Sequence, residues 1–337
     1  MRSLLPLTFL AVLRLGFLCA GSPVVAQSRI DCNAMNSRIL KQVVHYCVYL
    51  PAGYGAGAAE HPARHYPVLY FLHGLGDNEQ TLFNSGGWTL LDDLRHRHKM
   101  GDFLIVAPEG RRSFYINSAD GSVRYDDFFL QEFMPHVEGK YRVRAGRAGR
   151  AISGISMGGY GALRFAFAHP ELFSAVSAQS AALITESPQQ LDSAQRTGTP
   201  LGGVLGAVFG NPINVPHWNE NSPFVLAKKN ALPLRKSAIY FNCGQDDNYG
   251  FEKGAAQLHD QLQKQGVAHV YPRDDVRSAL PGRYDRMSDD LLTLRVTIAR
   301  HLPHQSAMPS FGSPDATRAP TRSVYFHQSH RHTMFSW

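Results

Sequence analysis

No segment of this chain concentrates positive charge. Its 34 Lys and Arg outnumber its 27 Asp and Glu, for a formal charge of +7 over 337 residues. The basic residues are nevertheless scattered, with no dense run and no nucleic-acid module, so the excess reads as a solvated surface and excludes nucleic acid as the expected partner. Cysteine is scarce: the four present match no zinc spacing, and no metal is expected. Internal repeats are absent. So is a long hydrophobic run, because Arg14 interrupts the most apolar stretch, Leu4 to Leu13, and leaves it too short to span a bilayer. What remains is 44% hydrophobic residues, enough for one large core.

The N-terminus has the form of an export signal. Arg2 supplies the positive start, an apolar stretch follows, and Val24-Val25-Ala26 offers small residues for cleavage before Gln27. The expectation is a signal peptide over 1–26 and an exported protein, periplasmic or extracellular, with no membrane span after cleavage. An uncleaved N-terminal anchor is the alternative. Cys19 follows Leu18, without the small residue that precedes a lipidated bacterial cysteine. Cleavage leaves Cys32, Cys47 and Cys243. Residues 29–36 and 43–50 read as two short strands about a turn near Ile39-Leu40, with Cys32 and Cys47 equidistant from it. A cross-strand disulfide and two buried thiols both fit that placement.

From there the chain alternates strand-like and helix-like segments, which implies an α/β fold with a mainly parallel central sheet and helices on both faces. Apolar runs at 67–72, 103–107, 150–154, 237–241 and 267–271 read as its strands. Tyr125, Phe129, Phe133 and Val137 recur at helical spacing, as do Phe251, Ala255, Leu258 and Leu262. Residues 184–235 are rich in Pro and Gly and read as an irregular insertion over the site. The fold is expected to end near residue 302. Seventeen of the 35 residues from 303 to 337 are Ser, Pro, His or Arg, without apolar period, which reads as a disordered tail.

Three segments carry chemistry. Gly154-Ile155-Ser156-Met157-Gly158 follows a strand-like run and precedes a helix-like one, the context in which a serine is held out of a sheet as a nucleophile. The five-residue pattern alone would arise by chance roughly 0.1–0.2 times in such a chain, so its context supplies the specificity. Upstream, His73-Gly74-Leu75-Gly76-Asp77 stands where a loop donates to an oxyanion, which nominates the backbone N–H groups of Leu75 and Met157. Downstream, Cys243 to Tyr249 follows a strand, and Asp247 is the first choice for a carboxylate that orients a base, with Asp246 second. The competing role for either is to cap the next helix.

Together with Val48-Tyr-Leu-Pro51 and Phe114-Tyr-Ile-Asn117, these segments resemble the esterase family that includes S-formylglutathione hydrolases, secreted feruloyl and acetyl-xylan esterases and mycolyltransferases. The resemblance runs from about Ser37 to Tyr271. It implies an α/β-hydrolase fold and ester or thioester chemistry without a cofactor, on a small-molecule or glycan ester. It places Tyr115 and Asn117 near the substrate cleft, although an aromatic turn residue and a capping Asn would account for them structurally.

One part departs from the family. Where relatives carry Pro-Gly-Gly-His-Asp-Trp, this chain reads Pro281-Gly-Arg-Tyr284-Asp-Arg286, so Tyr284 occupies the position of the general base. A phenol titrating near 10 is poorly matched to take a serine proton at neutral pH. His259, His269, His301 and His304 fall at positions better suited to packing or surface. Two explanations fit: a chain that has lost its base, or a C-terminal segment replaced after about Tyr271. The resulting expectations are a serine esterase impaired at one step, a non-catalytic ligand-binding relative, or an acyltransferase to a sugar.

Overall fold

The computed structural model describes residues 27–55, 64–196, 200–245, 247 and 249–272. The expected signal peptide, the tail, Asp246, Tyr284, His301 and His304 lie outside the described residues.

Among the described residues, seven strands form one sheet. β1 (Arg29–Ser37) and β2 (Gln42–Leu50) make a hairpin, and β3 (Val68–Leu72), β4 (Leu104–Pro108), β5 (Arg150–Ile155), β6 (Ala175–Gln179) and β7 (Ala238–Asn242) follow. Their order is β1-β2-β4-β3-β5-β6-β7. The hairpin and its pairing with β4 are antiparallel; every pairing among β3 to β7 is parallel. This is the mainly parallel sheet the alternation implied. Period-two burial explains how both faces are covered. Val68, Tyr70 and Leu72 of β3 and Leu104 and Val106 of β4 face one apolar layer, while Leu69, Phe71, Ile105 and Ala107 face the other. Cys32 pairs with Cys47 across the hairpin, at a Cα separation of 4.1 Å, and the two are joined as a disulfide.

Helices fill the connections. α1 (Trp88–His96) follows β3. α2 (Tyr125–Phe128) and α3 (Met134–Lys140) are joined by a π turn over Phe129–Phe133 into one helical run, and α4 (Met157–Ala168) leaves β5 directly. α4 stops just before Pro170, which disfavours helical conformation in the residue ahead of it. Among the described residues no helix is long and apolar enough to cross a membrane.

Two expectations need correction. The span 184–235 is helical, not irregular: α5 (Pro188–Arg196), α6 (Pro200–Phe209), α7 (Val215–Asn221), α8 (Pro223–Lys229) and α9 (Ala231–Leu234) connect β6 to β7. Its prolines stand mostly in first turns, where a missing N–H costs nothing, so they start helices instead of breaking them. The run 267–271 is not a full strand. After α10 (Phe251–Lys264), among the described residues only Val270 bridges to Tyr240, through hydrogen bonds to Ile239 and Phe241.

A buried polar cluster ties the connection after β6 to the core. Arg164 of α4, 8% exposed, pairs through both terminal nitrogens with Asp126 of α2, and its Nε donates to Asn221 Oδ1 of α7 at 3.1 Å. Tyr160, one turn earlier, donates its hydroxyl to the Asn221 carbonyl at 2.8 Å. Removing one member of such a pair strands a buried charge. Arg164→Ala is therefore expected to lower the unfolding free energy by about 3 kcal/mol, read from urea denaturation; a loss under roughly 1 kcal/mol would show the pair to be solvent-relaxed.

Candidate active site

Ser156 sits between the last residue of β5 and the first of α4 with φ 55° and ψ −116°, a backbone conformation that a side chain disfavours. Such strain costs about 1–3 kcal/mol and persists only where neighbours impose it. Here the Ser156 N–H donates to Gln179 O at 2.9 Å, and its carbonyl accepts from Ala182 N–H and Tyr160 N–H, each at 3.0 Å. Two glycines allow the chain to fold back so tightly. A Cβ on Gly154 would lie 2.3 Å from Gly158 O, and one on Gly158 would lie 1.9 Å from Leu72 O. The outcome is a half-buried hydroxyl at the carboxyl edge of the parallel strands, beside the start of a twelve-residue helix. The first backbone N–H groups of that helix, Met157 included, have no intrahelical acceptor and carry the positive end of its dipole.

The loop after β3 lies against this serine: a Cβ placed on Gly74 would be 3.6 Å from Ser156 Cβ. Gly74 to Asp77 form a tight turn closed by Asp77 N–H to Gly74 O at 3.1 Å, with Gly76 at φ +86° as a type II turn requires. Leu75 is a central residue of that turn, and its N–H is not the one that closes it.

His73 secures the loop from beneath, a role that the bare motif did not reveal. Its ring is 1% exposed, and its Nε2 accepts from Gly110 N–H at 2.7 Å. The proton must then sit on Nδ1, which donates to Gly74 O at 2.8 Å. Burial pushes the His73 pKa below its ordinary value, against the opposing pull of the Gly74 carbonyl and the carboxylates of Asp77, Glu79 and Glu109. The ring is a neutral two-ended strut.

Tyr115 is not at an open cleft. It is wholly buried, its hydroxyl donates to His73 O at 3.0 Å, and its ring fills the space beside Gly110 and Gly161. Asn117 likewise takes the structural role: its Oδ1 accepts from Asp127 N–H in α2 at 3.3 Å. Asp247 lies five residues past the end of β7, on the same edge of the sheet as Ser156. Registers Ile155 to Gln179 and Gln179 to Asn242 separate the two strands by two spacings, roughly 9–10 Å. Its Oδ1 accepts from Tyr249 N–H at 2.9 Å and Phe251 N–H at 3.2 Å, so the carboxylate does cap α10. His259 and His269 hydrogen-bond each other, Nδ1 to Nε2, at 2.7 Å, and His269 stacks on Phe241. Both serve packing.

A family model described as "Putative esterase" matches residues 37–278. The chain belongs to this esterase family. An acetyl esterase of Caldicellulosiruptor saccharolyticus is 26% identical over 212 residues, 62% of this chain and 75% of the relative. An esterase of Mycobacterium tuberculosis is 30% identical over 163 residues, 47% of this chain but only 34% of that longer protein. A solved ferulic acid esterase superposes with a TM-score of 0.66 over 82% of this chain and all of its own, at 24% identity, and so supports the α/β-hydrolase fold.

In this esterase-family chain the state of His73 should register in stability. Its folded-state pKa lies below the unfolded value, so the unfolded chain binds the extra proton and stability falls as pH drops below about 6.5. His136 and His217 are also lowered by burial, so the slope is shared. Urea midpoints compared at pH 7.5 and 5.0 should differ less in His73→Gln than in the wild type; an unchanged difference would mean that His73 is not the buried neutral group.

Proposed function

We propose that this chain hydrolyses carboxylic esters or thioesters through an acyl-enzyme at Ser156. The observation that supports the reading is the imposed backbone at Ser156, between β5 and α4, with Gly74 of the 73–77 loop packed close beside its Cβ. In the proposed reaction Ser156 Oγ attacks the acyl carbon and gives up its proton. The carbonyl oxygen becomes an oxyanion held by the N–H groups of Leu75 and Met157. Collapse expels the alcohol or thiol, which takes up a proton, and water then attacks the acyl-serine to release the acid. Donors fixed before the reaction need no rearrangement as charge develops, which is why such holes contribute so much to catalysis.

Asp247 would orient the proton carrier in relatives that hold a histidine at the position of Tyr284. With a tyrosine there, proton removal from Ser156 is the slow step of this copy, and the hole and binding contacts alone would leave roughly 10³–10⁴ of acceleration over water. Small-molecule or glycan esters are the proposed substrates, and export is the proposed fate of the chain.

The test begins with a fluorophosphonate probe on the purified protein, which should label Ser156 slowly and leave Ser156→Ala unlabelled. Equal labelling of both proteins would remove the assignment. Tyr284→His should then raise p-nitrophenyl acetate turnover by at least tenfold, as a recovered general base contributes about 10²–10⁴ in a well-formed site. A variant no faster than wild type would show that residue 284 does not reach the serine.

A further inference from the structure

At the β1 edge of the sheet lies a groove of about 540 Å³, lined by Arg29, Asp31, Asn33, Tyr54, Lys140 and Tyr141 among others. It runs along β1 from Arg29, paired with Leu50, to Asn33, paired with Tyr46. Tyr66, just ahead of β3, exchanges backbone hydrogen bonds with Arg142 and Arg144, immediately after Lys140 and Tyr141. Ser156 lies where β5 ends, and β5 stands four strand spacings from β1, roughly 19 Å across the sheet. The groove is thus separate from the candidate active site.

Its charges are unevenly matched. Arg29 is engaged by Asp31, with Nε to Oδ1 at 3.0 Å. Lys140, at the end of α3, has only neutral partners among the described residues: Nζ donates to Asn33 Oδ1 at 2.9 Å and to Tyr46 OH at 3.1 Å. Its charge also lies 5.5 Å from the Tyr46 ring centroid and 5.6 Å from that of Tyr141. Asn33 is fixed in turn by donating Nδ2 to Tyr141 OH at 3.2 Å. An exposed ammonium is therefore held in place by an amide and two rings, with a donor left over and no carboxylate to neutralise it. Behind Tyr54, Arg142 is held the same way, by the Tyr54 carbonyl and ring.

We infer that this groove binds a sugar acid, a monoanionic carboxylate on a polyhydroxylated ring such as a uronate unit of an acidic glycan. The lining carries one net positive charge, which suits a single carboxylate at Lys140. The fixed negative charge of Asp31 works against a dianion such as a phosphate ester. Asp31, Asn33 and the tyrosine hydroxyl offer the polar groups that a ring of hydroxyls requires, and the volume accommodates one or more sugar units. Occupancy would hold the protein on an acidic polymer at a face remote from the serine, and it does not depend on the esterase reading.

Calorimetric titration of the purified full chain with D-glucuronate, D-glucose and glucose 6-phosphate tests the inference. Glucuronate should bind at least fivefold tighter than either of the others. Lys140→Gln should weaken it about tenfold, the scale of one charge-assisted hydrogen bond, while the rate at which fluorophosphonate labels Ser156 stays unchanged. Raising salt from 50 to 500 mM should weaken glucuronate and leave glucose unaffected. Glucuronate binding no tighter than glucose, a preference for the phosphate ester, or full affinity in Lys140→Gln would each overturn the assignment.

Discussion

The backbone of Ser156 cannot relax, and the surrounding architecture is arranged around that constraint. Three hydrogen bonds hold the residue in a disfavoured conformation, and their partners come from the end of β6, the loop after it and the first turn of α4. The turn therefore exists only if β5 and β6 pair in register and α4 packs directly on β3. The approach of Gly158 to the carbonyl of Leu72 shows how little room that packing leaves. The strain is small beside the gain from burying a strand and a helix, so the fold sustains it without loss of order.

A second layer supports the first. His73 and Tyr115 together hold the β3 loop against the serine. The tyrosine hydroxyl reaches the His73 carbonyl, and the imidazole links Gly110 to Gly74. Phe114 and Tyr115 both adopt positive φ, so this support is itself bought with local strain.

The sequence disclosed the parts of this arrangement that depend on local pattern. Apolar runs of five or six residues marked the parallel strands, because strands covered on both faces lack polar alternation. Gly154 and Gly158 flanking Ser156 mark the turn, and of the two roles open to Asp247 the structure shows the helix cap. The parts set by tertiary contact were hidden. Nothing local distinguishes a tyrosine lining a cleft from one wedged under a loop, and Tyr115 is placed by contacts with Gly161 and His73, both far off in sequence. Proline content disguises the helices between β6 and β7, because most of those prolines stand in first turns, where they start helices. The run 267–271 had strand composition, yet only Val270 found an edge to pair with.

The polar cluster of Arg164, Asp126 and Asn221 has a consequence for how such a chain can evolve. Its three members arise from α4, α2 and α7, so replacement of any one leaves the other two facing the interior without a match. Because Arg164 shares its helix with the serine turn, the segment that links β6 to β7 cannot diversify its attachment freely. This geometry couples positions 126, 164 and 221, so a change at one is tolerated best with a matching change at the others.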